Sequence, residues 1–170
     1  MIPAEQALTV AKTYFIGLVQ HDDSSMIGPW REAVLGDPVL VRTVELEASF
    51  WIVPVERLGQ VLGHIDISPG GDIWGYAYFY SNPADLSVCP SFATRISVEE
   101  ALEVADDILK TYAGGDFSPP VFVHDGPHNR LAWMIEVREE DELAGRVFVT
   151  PGYAYERRLG DEPPPPGWRG

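Results

Sequence analysis

The chain has 170 residues, and its 45% hydrophobic and 11% aromatic content is enough for one medium-sized domain, or two small fused ones, around a packed core. Its net charge of -14 argues against binding to nucleic acid or to anionic membranes, because both require basic protein surfaces. The amino terminus, MIPAEQALTV, lacks the basic and long apolar regions of a signal peptide, and no run approaches the roughly 18 apolar residues of a membrane span. Because the single cysteine, Cys89, also fits a reducing compartment, we expect a cytoplasmic protein that binds neither nucleic acid nor membrane.

The first predicted element is a helix from Ala4 to about Gln20. Its apolar residues recur at spacings of three and four, which is typical of a helix with one buried face. In the polar segment that follows, residues 21–37, Pro29 precedes the sequence WREAVL, and this pattern predicts a short helix that ends at Gly36. Trp30, at the start of that helix, is either a lid on the core or an exposed contact residue, and the sequence leaves both open.

Four strands follow, because β-branched and aromatic residues there alternate with polar ones. They are predicted at Val39 to Val44, Glu45 to Val55, Val61 to Ser68 and Asp72 to Tyr80. Gly75, inside the last of these strands, suggests a β-bulge or a close approach of two backbones. The next segment, residues 81–97, contains Pro-associated turns and is predicted to connect two parts of the chain.

A second helix and a second set of strands follow this connector. Ser97 and Glu100 form a capping box, which predicts a helix from Val98 to about Ala113. Strands are predicted at Val121 to His124, Leu131 to Arg138, Leu143 to Thr150 and, at an edge, Tyr153 to Arg157. The residues Glu139, Glu140, Asp141 and Glu142 make an acidic hairpin tip, and the Pro-rich tail, residues 158–170, is predicted to be a plain terminal extension.

An internal repeat organises the chain. The stretch from Pro38 to Gly70 matches the stretch from Pro120 to Gly152 without a gap, and the two helices also match, at a larger shift. The sequence therefore predicts an α+β fold in which a helix and an antiparallel sheet of three to four strands occur twice in tandem. The boundaries are 1–80 for the first αβββ repeat, with an insertion at 21–37, then 81–97 for the connector and 98–157 for the second αβββ repeat. Whether the two sheets join edge to edge or pack through their helices is left open.

Motifs for catalysis are not evident. The chain has no G-x-S-x-G, P-loop, H-E-x-x-H or dinucleotide fingerprint, so we expect a protein that is not an enzyme and has no cofactor. His124 and His128, with Asp125 between them, resemble a metal site, but the Gly-Pro that follows imposes a turn and no third ligand is near in sequence. A hairpin turn is therefore expected there, with no metal. A further hypothesis, besides the two functions given below, is an enzyme that uses this turn or Cys89. The remaining strand histidine, His64, is expected at the surface.

The repeated residues also resemble known families. In the first copy these residues are Glu5, Ala7, Leu8, Ala11, Phe50, Trp51, Val53, Val55, Gly63, Ile65, Asp66, Ile67, Gly70 and Ile73, and in the second they are Glu99, Ala101, Leu102, Ala105, Trp133, Ile135, Val137, Gly145, Val147 and Val149. A helix of this type, followed by a strand ending in FWIVPV and by the segments GHIDI and PGGDI, resembles the PepSY and cystatin-like group of small α+β domains. It also resembles a family of bacterial immunity proteins from polymorphic-toxin systems.

The resemblance implies a non-catalytic domain that binds and blocks a peptidase or a toxin, or that acts as an inhibitory or chaperone-like segment. PepSY domains are usually exported or membrane-attached, so the expected cytoplasmic location favours the immunity proteins. The second copy departs from the pattern, since Phe148 stands at the position equivalent to Asp66, and it is expected to serve structure alone.

The expected function is therefore that of a non-catalytic protein that neutralises a protein partner, such as a basic toxin or a peptidase, through an acidic and aromatic surface. The residues predicted for this surface are Trp30, Trp51, Trp74, Trp133, Asp66, Glu139, Glu140, Asp141 and Glu142. Trp51 and Trp133 occupy equivalent positions, and each either packs a helix on a sheet or anchors the partner. The alternative function is a small-ligand sensor with a pocket between helix and sheet, lined by Trp51, Tyr76, Tyr78 or Trp133. The sequence predicts no oligomeric state.

Overall fold

The computed structural model describes residues 1–112 and 114–159. The fold is α+β, with three helices and ten strands of a mixed sheet, so the predicted class is confirmed at this level. The helices are α1 (Ala4–His21), a 3-10 helix (Ser25–Glu32) and α2 (Val98–Leu109). The strands are β1 (Val34–Leu35), β2 (Val39–Arg42), β3 (Ala48–Arg57), β4 (Gln60–Ile67), β5 (Ile73–Tyr78), β6 (Asp116–Phe117), β7 (Val121–His124), β8 (Leu131–Glu139), β9 (Glu142–Thr150) and β10 (Tyr153–Arg158). Within the described ranges no helix is both long and apolar enough to cross a membrane, and the predicted Pro-rich tail lies outside those ranges from residue 160 onward.

Residue contacts divide the chain into two compact units. Unit 1 contains Met1–Ser97 together with Phe122–Ala132. Unit 2 contains Val98–Val121 together with the described residues from Trp133 onward. The hairpin at 122–132, which the sequence repeat assigns to the second copy, therefore packs with the first unit.

In unit 1 the strands follow the order β7-β2-β3-β4-β5, and β1 also pairs with β3. The β2 and β7 strands are parallel, with Arg42 opposite Val123. The β1, β2 and β4 strands each pair antiparallel with β3, and β5 pairs antiparallel with β4. Helix α1 packs on β3, β4 and β5. The parallel pair matters for the site described below, because it brings the hairpin that follows β7 into this sheet.

The core of unit 1 lies between α1 and one face of the sheet. Ala7 and Ala11 form the small buried stripe of α1, and Trp30, from the 3-10 helix, is fully buried beside them. Trp30 fits because Gly63 on β4 has no side chain: a Cβ at this position would lie 2.9 Å from the Trp30 ring and 2.1 Å from the Ala77 carbonyl oxygen. Of the two roles considered for Trp30, the structure therefore supports the core residue, and its ring is not available to a partner.

In unit 2 the strands follow the order β10-β9-β8, and β6 also pairs with β8. Helix α2 packs on β9 and β10 and buries Ala101 and Ala105. Tyr112, just beyond α2, donates its hydroxyl hydrogen to Glu156 Oε2 at 2.7 Å. The same hydroxyl would lie 2.8 Å from a Cβ at position 145, so the glycine there lets the Tyr112 side chain pack closely on β9.

Several strand pairings of unit 1 and unit 2 coincide when 82 is added to the residue number. The matching pairs are Leu35–Val55 with Phe117–Val137, Trp51–Ile67 with Trp133–Val149, and Val55–Gly63 with Val137–Gly145. Each long hairpin also has an irregularity in its register immediately after Val55 or Val137. The two units thus use the same ladder geometry between their longest strands.

The short helix predicted for WREAVL is wrong. The helix that forms is a 3-10 helix that begins earlier, at Ser25, where the Ser24 hydroxyl oxygen accepts a hydrogen bond from the backbone N–H of Met26. Its last residue is Glu32, and Val34–Leu35, which were also expected to be helical, instead pair with β3. Local pattern did not reveal this strand, because two residues are too few to show a period of two.

The strand predicted from Glu45 to Val55 begins later, at Ala48. The preceding residues form a turn in which the Thr43 N–H donates to the Glu47 carbonyl oxygen, and Leu46 adopts a φ of 66°. Glu45 and Glu47 therefore belong to a turn and do not form the polar face of a strand.

Candidate functional site

Four rings form a cluster on the face of the unit 1 sheet opposite to α1. Phe50 from β3 lies at the base with 1% of its surface exposed, and Trp74 from β5 is 49% exposed. His124 is the last residue of β7, and His128 lies in the turn that follows this strand. The ring centroids are 5.6 Å apart for Phe50 and Trp74, 4.8 Å for Trp74 and His128, and 5.2 Å for the two histidines. These four residues, hereafter the Trp74 cluster, hold the indole in one orientation and leave half of it open to solvent.

Both ring nitrogens of His124 have partners. Nδ1 lies 2.8 Å from the Gly126 carbonyl oxygen, and Nε2 lies 3.0 Å from Ser49 Oγ. A carbonyl oxygen can only accept, so Nδ1 carries the hydrogen in the neutral ring, and Nε2 accepts from the Ser49 hydroxyl. The Asp125 N–H donates to the Arg130 carbonyl oxygen and closes the hairpin. The predicted hairpin turn is therefore confirmed, and the His124 ring links it to Ser49 of β3.

Groups suited to metal binding or to nucleophilic catalysis are few. In the described part of the chain, no group of three or more His, Cys, Asp or Glu side chains is arranged to hold a metal ion. Cys89 is buried, and this burial raises the pKa of its thiol, which disfavours the reactive thiolate.

His64 and Asp66 form a second polar feature on the same sheet face. His64 lies opposite Pro54 and Asp66 lies opposite Ile52, and His64 Nε2 is 3.3 Å from Asp66 Oδ1. The expectation that His64 lies at the surface is wrong, since only 7% of it is exposed. Burial, with a smaller contribution from Arg95, lowers the pKa of His64 to about 4, and burial raises the pKa of Asp66 to about 6.

The charge state of this pair follows from the directions of the two shifts. An ion pair would raise the histidine pKa and lower the aspartate pKa, whereas both shifts here favour the neutral forms. Desolvation therefore outweighs the mutual attraction of His64 and Asp66, and the imidazole is neutral at pH 7. Neither His64 Nδ1 nor Asp66 Oδ1 has a hydrogen-bond partner among the described atoms.

A second aromatic group lies on the α1 side of the unit 1 sheet. The Trp30 ring is 5.7 Å from Tyr76 and 5.0 Å from Tyr78, and Tyr76 is 6.3 Å from Tyr14 of α1. Burial raises the pKa of both Tyr14 and Tyr78, and the nearby Asp22 carboxylate adds to each shift. Trp30 thus occupies the layer between helix and sheet where a ligand pocket was considered.

A groove lies outside this layer, along the carboxyl-terminal half of α1. Its volume is about 650 Å³, and its lining consists of Thr13, Tyr14, Gly17, Leu18, His21, Asp22 and Asp23. The groove is wide open to solvent and is bordered by two carboxylates, so it is suited to a surface contact and not to enclosing a small molecule.

The predicted surface residues divide into exposed and packed side chains. Trp51 is half-buried, and its Nε1–H donates to the Ile2 carbonyl oxygen at 3.0 Å, as expected for a packing residue with a local partner. Trp133 and Asp66 are also half-buried, and Trp30 is fully buried. Trp74 is therefore the most exposed of the four candidate tryptophans.

The acidic hairpin tip of unit 2 is exposed to solvent. Glu139 ends β8 and Glu142 begins β9, and Glu140 and Asp141 connect the two strands. Glu140 and Asp141 have φ values of 51° and 69°, which are typical of a two-residue type I′ turn. Such a turn usually contains Asn-Gly, so this tip places acidic side chains where the backbone favours smaller or more flexible residues.

Sequence reasoning missed the base of the Trp74 cluster and one exposed leucine. Phe50 was assigned to a strand but not to a site. The two histidines were considered as metal ligands, as part of a turn and as catalytic residues, but not as members of an aromatic cluster. Leu58, at the tip of the hairpin between β3 and β4, is 92% exposed and has a φ of 51°. The sequence predicts the turn itself at residues 56–60, and the apolar Leu58 beside Gly59 is the signal that could have indicated an exposed leucine there.

Comparison with known proteins finds no matching family model, no matching curated protein and no matching solved structure.

Proposed function

We propose that the chain is a non-catalytic binding protein that neutralises a protein partner, such as a basic toxin or a peptidase, through an acidic and aromatic surface. The observation that carries the proposal is the half-exposed Trp74, held by Phe50 and His128. A tryptophan already fixed in the free protein loses little side-chain entropy on binding, and tryptophan is among the residues that dominate the binding energy of protein interfaces.

Charge supports the same proposal. The net charge of -14 creates a negative field that accelerates encounters with basic proteins. Carboxylates also lie near the aromatic surface of unit 1, since Asp72 immediately precedes β5 and Asp66 pairs with Gly75 within the sheet. A cationic side chain of the partner would meet both an indole face and nearby negative charge.

The tandem duplication is part of the proposal. The coincident strand pairings and the paired glycines at positions 63 and 145 support two copies of one helix-and-strand unit. The first copy carries the exposed Trp74, and the second carries the acidic tip at 139–142. We therefore assign aromatic contacts to the first copy and a more electrostatic role to the second.

The resemblance to immunity proteins is the source of the neutralising role. The alternative of a small-ligand sensor receives less support in unit 1, because the buried Trp30 fills the space between α1 and the sheet. A sensor would need a concave apolar cavity at that place.

The test is a titration of the purified chain with the product of the neighbouring gene. Complex formation is measured by thermal shift and by light scattering. We expect a stoichiometric complex with a raised melting temperature, because a ligand that binds only the folded state stabilises it. Trp74→Ala should weaken the complex by at least about tenfold, as expected for a central interface tryptophan. Tyr153→Ala is the matched control, because it removes another exposed ring, 59% accessible, in unit 2. A complex equally strong with Trp74→Ala, or no complex at low salt, would contradict the proposal.

A further inference from the structure

The outer edge of β5 presents unpaired backbone groups. β5 is the last strand of the unit 1 sheet, and β4 pairs with it on one side only. The Phe79 N–H donates to the Leu62 carbonyl oxygen, which makes the neighbouring pair Gly63–Tyr78 a non-hydrogen-bonded pair of the antiparallel ladder. The backbone N–H and C=O groups of Tyr76 and Tyr78 therefore point away from β4, and no described strand pairs with them.

This edge lacks two features by which proteins usually block strand addition, charged residues and proline, although the register of β4 and β5 has one irregularity, between Asp66 and Ile67. Natural edge strands carry charged residues or proline, which discourage pairing with another chain. The β5 sequence, IWGYAY, contains neither, whereas β10, at the end of the unit 2 order, carries Glu156, Arg157 and Arg158. Within one chain, one terminal strand is thus charged and the other is apolar.

The side chains along β5 suit an incoming strand. Trp74 contacts Phe50 on one face of the sheet, and Tyr76 contacts Trp30 on the other face. The exposed fractions of Trp74 and Tyr76 are 49% and 36%. Between them, Gly75 has no heavy atom within 4 Å of where a Cβ would stand. An added strand could therefore place alternate side chains beside an indole and beside a phenol ring, with free space at the glycine.

The charges near β5 favour a basic segment. Asp72 precedes the strand, Asp66 pairs with Gly75, and Asp22 is close enough to raise the pKa of Tyr78. Lysine or arginine side chains of an added strand would approach carboxylates and the faces of aromatic rings together. A second copy of this chain is a poorer occupant, because each copy has a net charge of -14.

We infer that β5 binds an extended, lysine- or arginine-containing segment of a partner protein as an added antiparallel or parallel strand. The inference rests on the proposed function, and it names how that partner is recognised. Main-chain hydrogen bonds to Tyr76 and Tyr78 supply affinity, and the rings of Trp74 and Tyr76 select the side chains.

In the experiment, the peptide acetyl-TKVKVKT-amide is titrated into the full chain, and binding is measured by amide chemical shifts and by calorimetry. The shifts should centre on β5, and the glutamate analogue TEVEVET should bind at least about tenfold more weakly because of charge repulsion. Each of two further peptides carries N-methyl groups on every second amide, and the two peptides differ in which alternate set is methylated. Only one set can face β5, so one of these peptides should retain binding and the other should lose at least about tenfold.

A pair of protein variants tests the same edge. Tyr76→Pro removes the outward N–H, which the ladder to β4 does not use, and Tyr76→Val removes the ring but keeps that N–H. We expect Tyr76→Pro to bind the lysine peptide at least about fivefold more weakly than Tyr76→Val does. Melting curves establish that both variants are folded, and the N-methylated peptides provide the test on the unaltered protein if either is not.

Three results would overturn the inference: no saturable binding of the lysine peptide, equal loss with both N-methylated peptides, or a dimer that Tyr76→Pro dissociates. Failure here is distinct from failure of the proposed function. If the neighbouring gene product binds with equal affinity to the Tyr76→Pro and Tyr76→Val variants, strand addition is wrong and the binding function stands. If the peptide binds at β5 but no protein partner is neutralised, strand addition stands and the proposed function is wrong.

Discussion

His64 and Asp66 are two neighbouring residues on β4 whose ionisation affects stability in opposite directions. The pKa of Asp66 is raised from 3.8 to about 6, so the folded state binds its proton more tightly than the unfolded state does. This contribution to stability is complete below pH 3.8 and is lost as the pH rises through 6. The pKa of His64 is lowered from 6.5 to about 4, so its contribution is present above pH 6.5 and is lost as the pH falls through 4.

The two effects share nearly the same pH window and largely cancel in the wild-type chain. Asp66→Asn removes the aspartate effect alone, so the stability of this variant relative to the wild type should rise between pH 4 and pH 6. The size of the change is on the order of 1–3 kcal/mol, because a shift of one pKa unit corresponds to about 1.4 kcal/mol and Asp66 is partly solvated. Urea denaturation at several pH values measures it.

His64→Gln is the complementary variant. Its stability relative to the wild type should fall between pH 4 and pH 6.5, the opposite slope to that of Asp66→Asn. Parallel slopes for the two variants would show that the pair behaves as an ion pair in the folded chain. The sequence placed both residues on one strand, but their burial depends on what covers the sheet, which a local pattern does not encode.

At the scale of elements, the long hairpin of β3 and β4 depends on one glycine. Gly63 on β4 lies under Trp30, and a Cβ there would meet the Ala77 carbonyl oxygen at 2.1 Å. Backbone cannot move away as a flexible side chain can, so Gly63→Ala should destabilise the chain by about 2–4 kcal/mol, at or above the usual range for overpacking. Denaturant midpoints with unchanged slopes measure the loss.

Two further glycines calibrate that prediction. At position 145 the nearest obstacle is the Tyr112 hydroxyl at 2.8 Å, so Gly145→Ala should cost less, about 1–3 kcal/mol. At position 75 no atom lies within 4 Å, so Gly75→Ala should be neutral or stabilise by about 0.5 kcal/mol, since alanine restricts the unfolded chain. Equal losses at positions 63 and 75 would contradict the packing argument.

The elements most accurately predicted were those with a strong period. The apolar stripe of α1 gave its start at Ala4, and alternation gave β7 at Val121–His124 without error. The two-residue strands β1 and β6 left no pattern, because each is defined by its pairing with a long strand and not by its own residues. The hairpin tip at residues 139–142 was predicted, whereas its turn type was not, because Glu140 is not a residue that usually adopts a positive φ.

On the scale of the whole molecule, the Trp74 cluster was beyond the reach of sequence reasoning. It requires β7 to pair in parallel with β2, which brings His124 and His128 onto Phe50, although the repeat assigns these histidines to the other copy. Parallel pairing between distant strands has no signature in local periodicity. The net charge, by contrast, is independent of folding and was available from the start.

That charge leads to a prediction that separates steering from contact. Replacing Glu139, Glu140, Asp141 and Glu142 by their amides removes four negative charges from an exposed tip. With a basic partner, this variant should bind with an association rate lowered by about three- to tenfold at low salt and little changed near 0.5 M salt, where the charges are screened. Its dissociation rate should change little, because charges on the rim mainly affect encounter. Stopped-flow measurements at several salt concentrations determine both rates.

Trp74→Ala should show the opposite kinetic behaviour, with a faster dissociation and an association rate close to that of the wild type. The contrast follows from where the two features lie: the tip is solvated and acts at a distance, whereas the indole is fixed on Phe50 and acts only on contact. If the tip variant instead accelerated dissociation at every salt concentration, the acidic residues would be part of the contact itself. The electrostatic role assigned to the second copy would then be wrong, and its hairpin would belong to the binding surface.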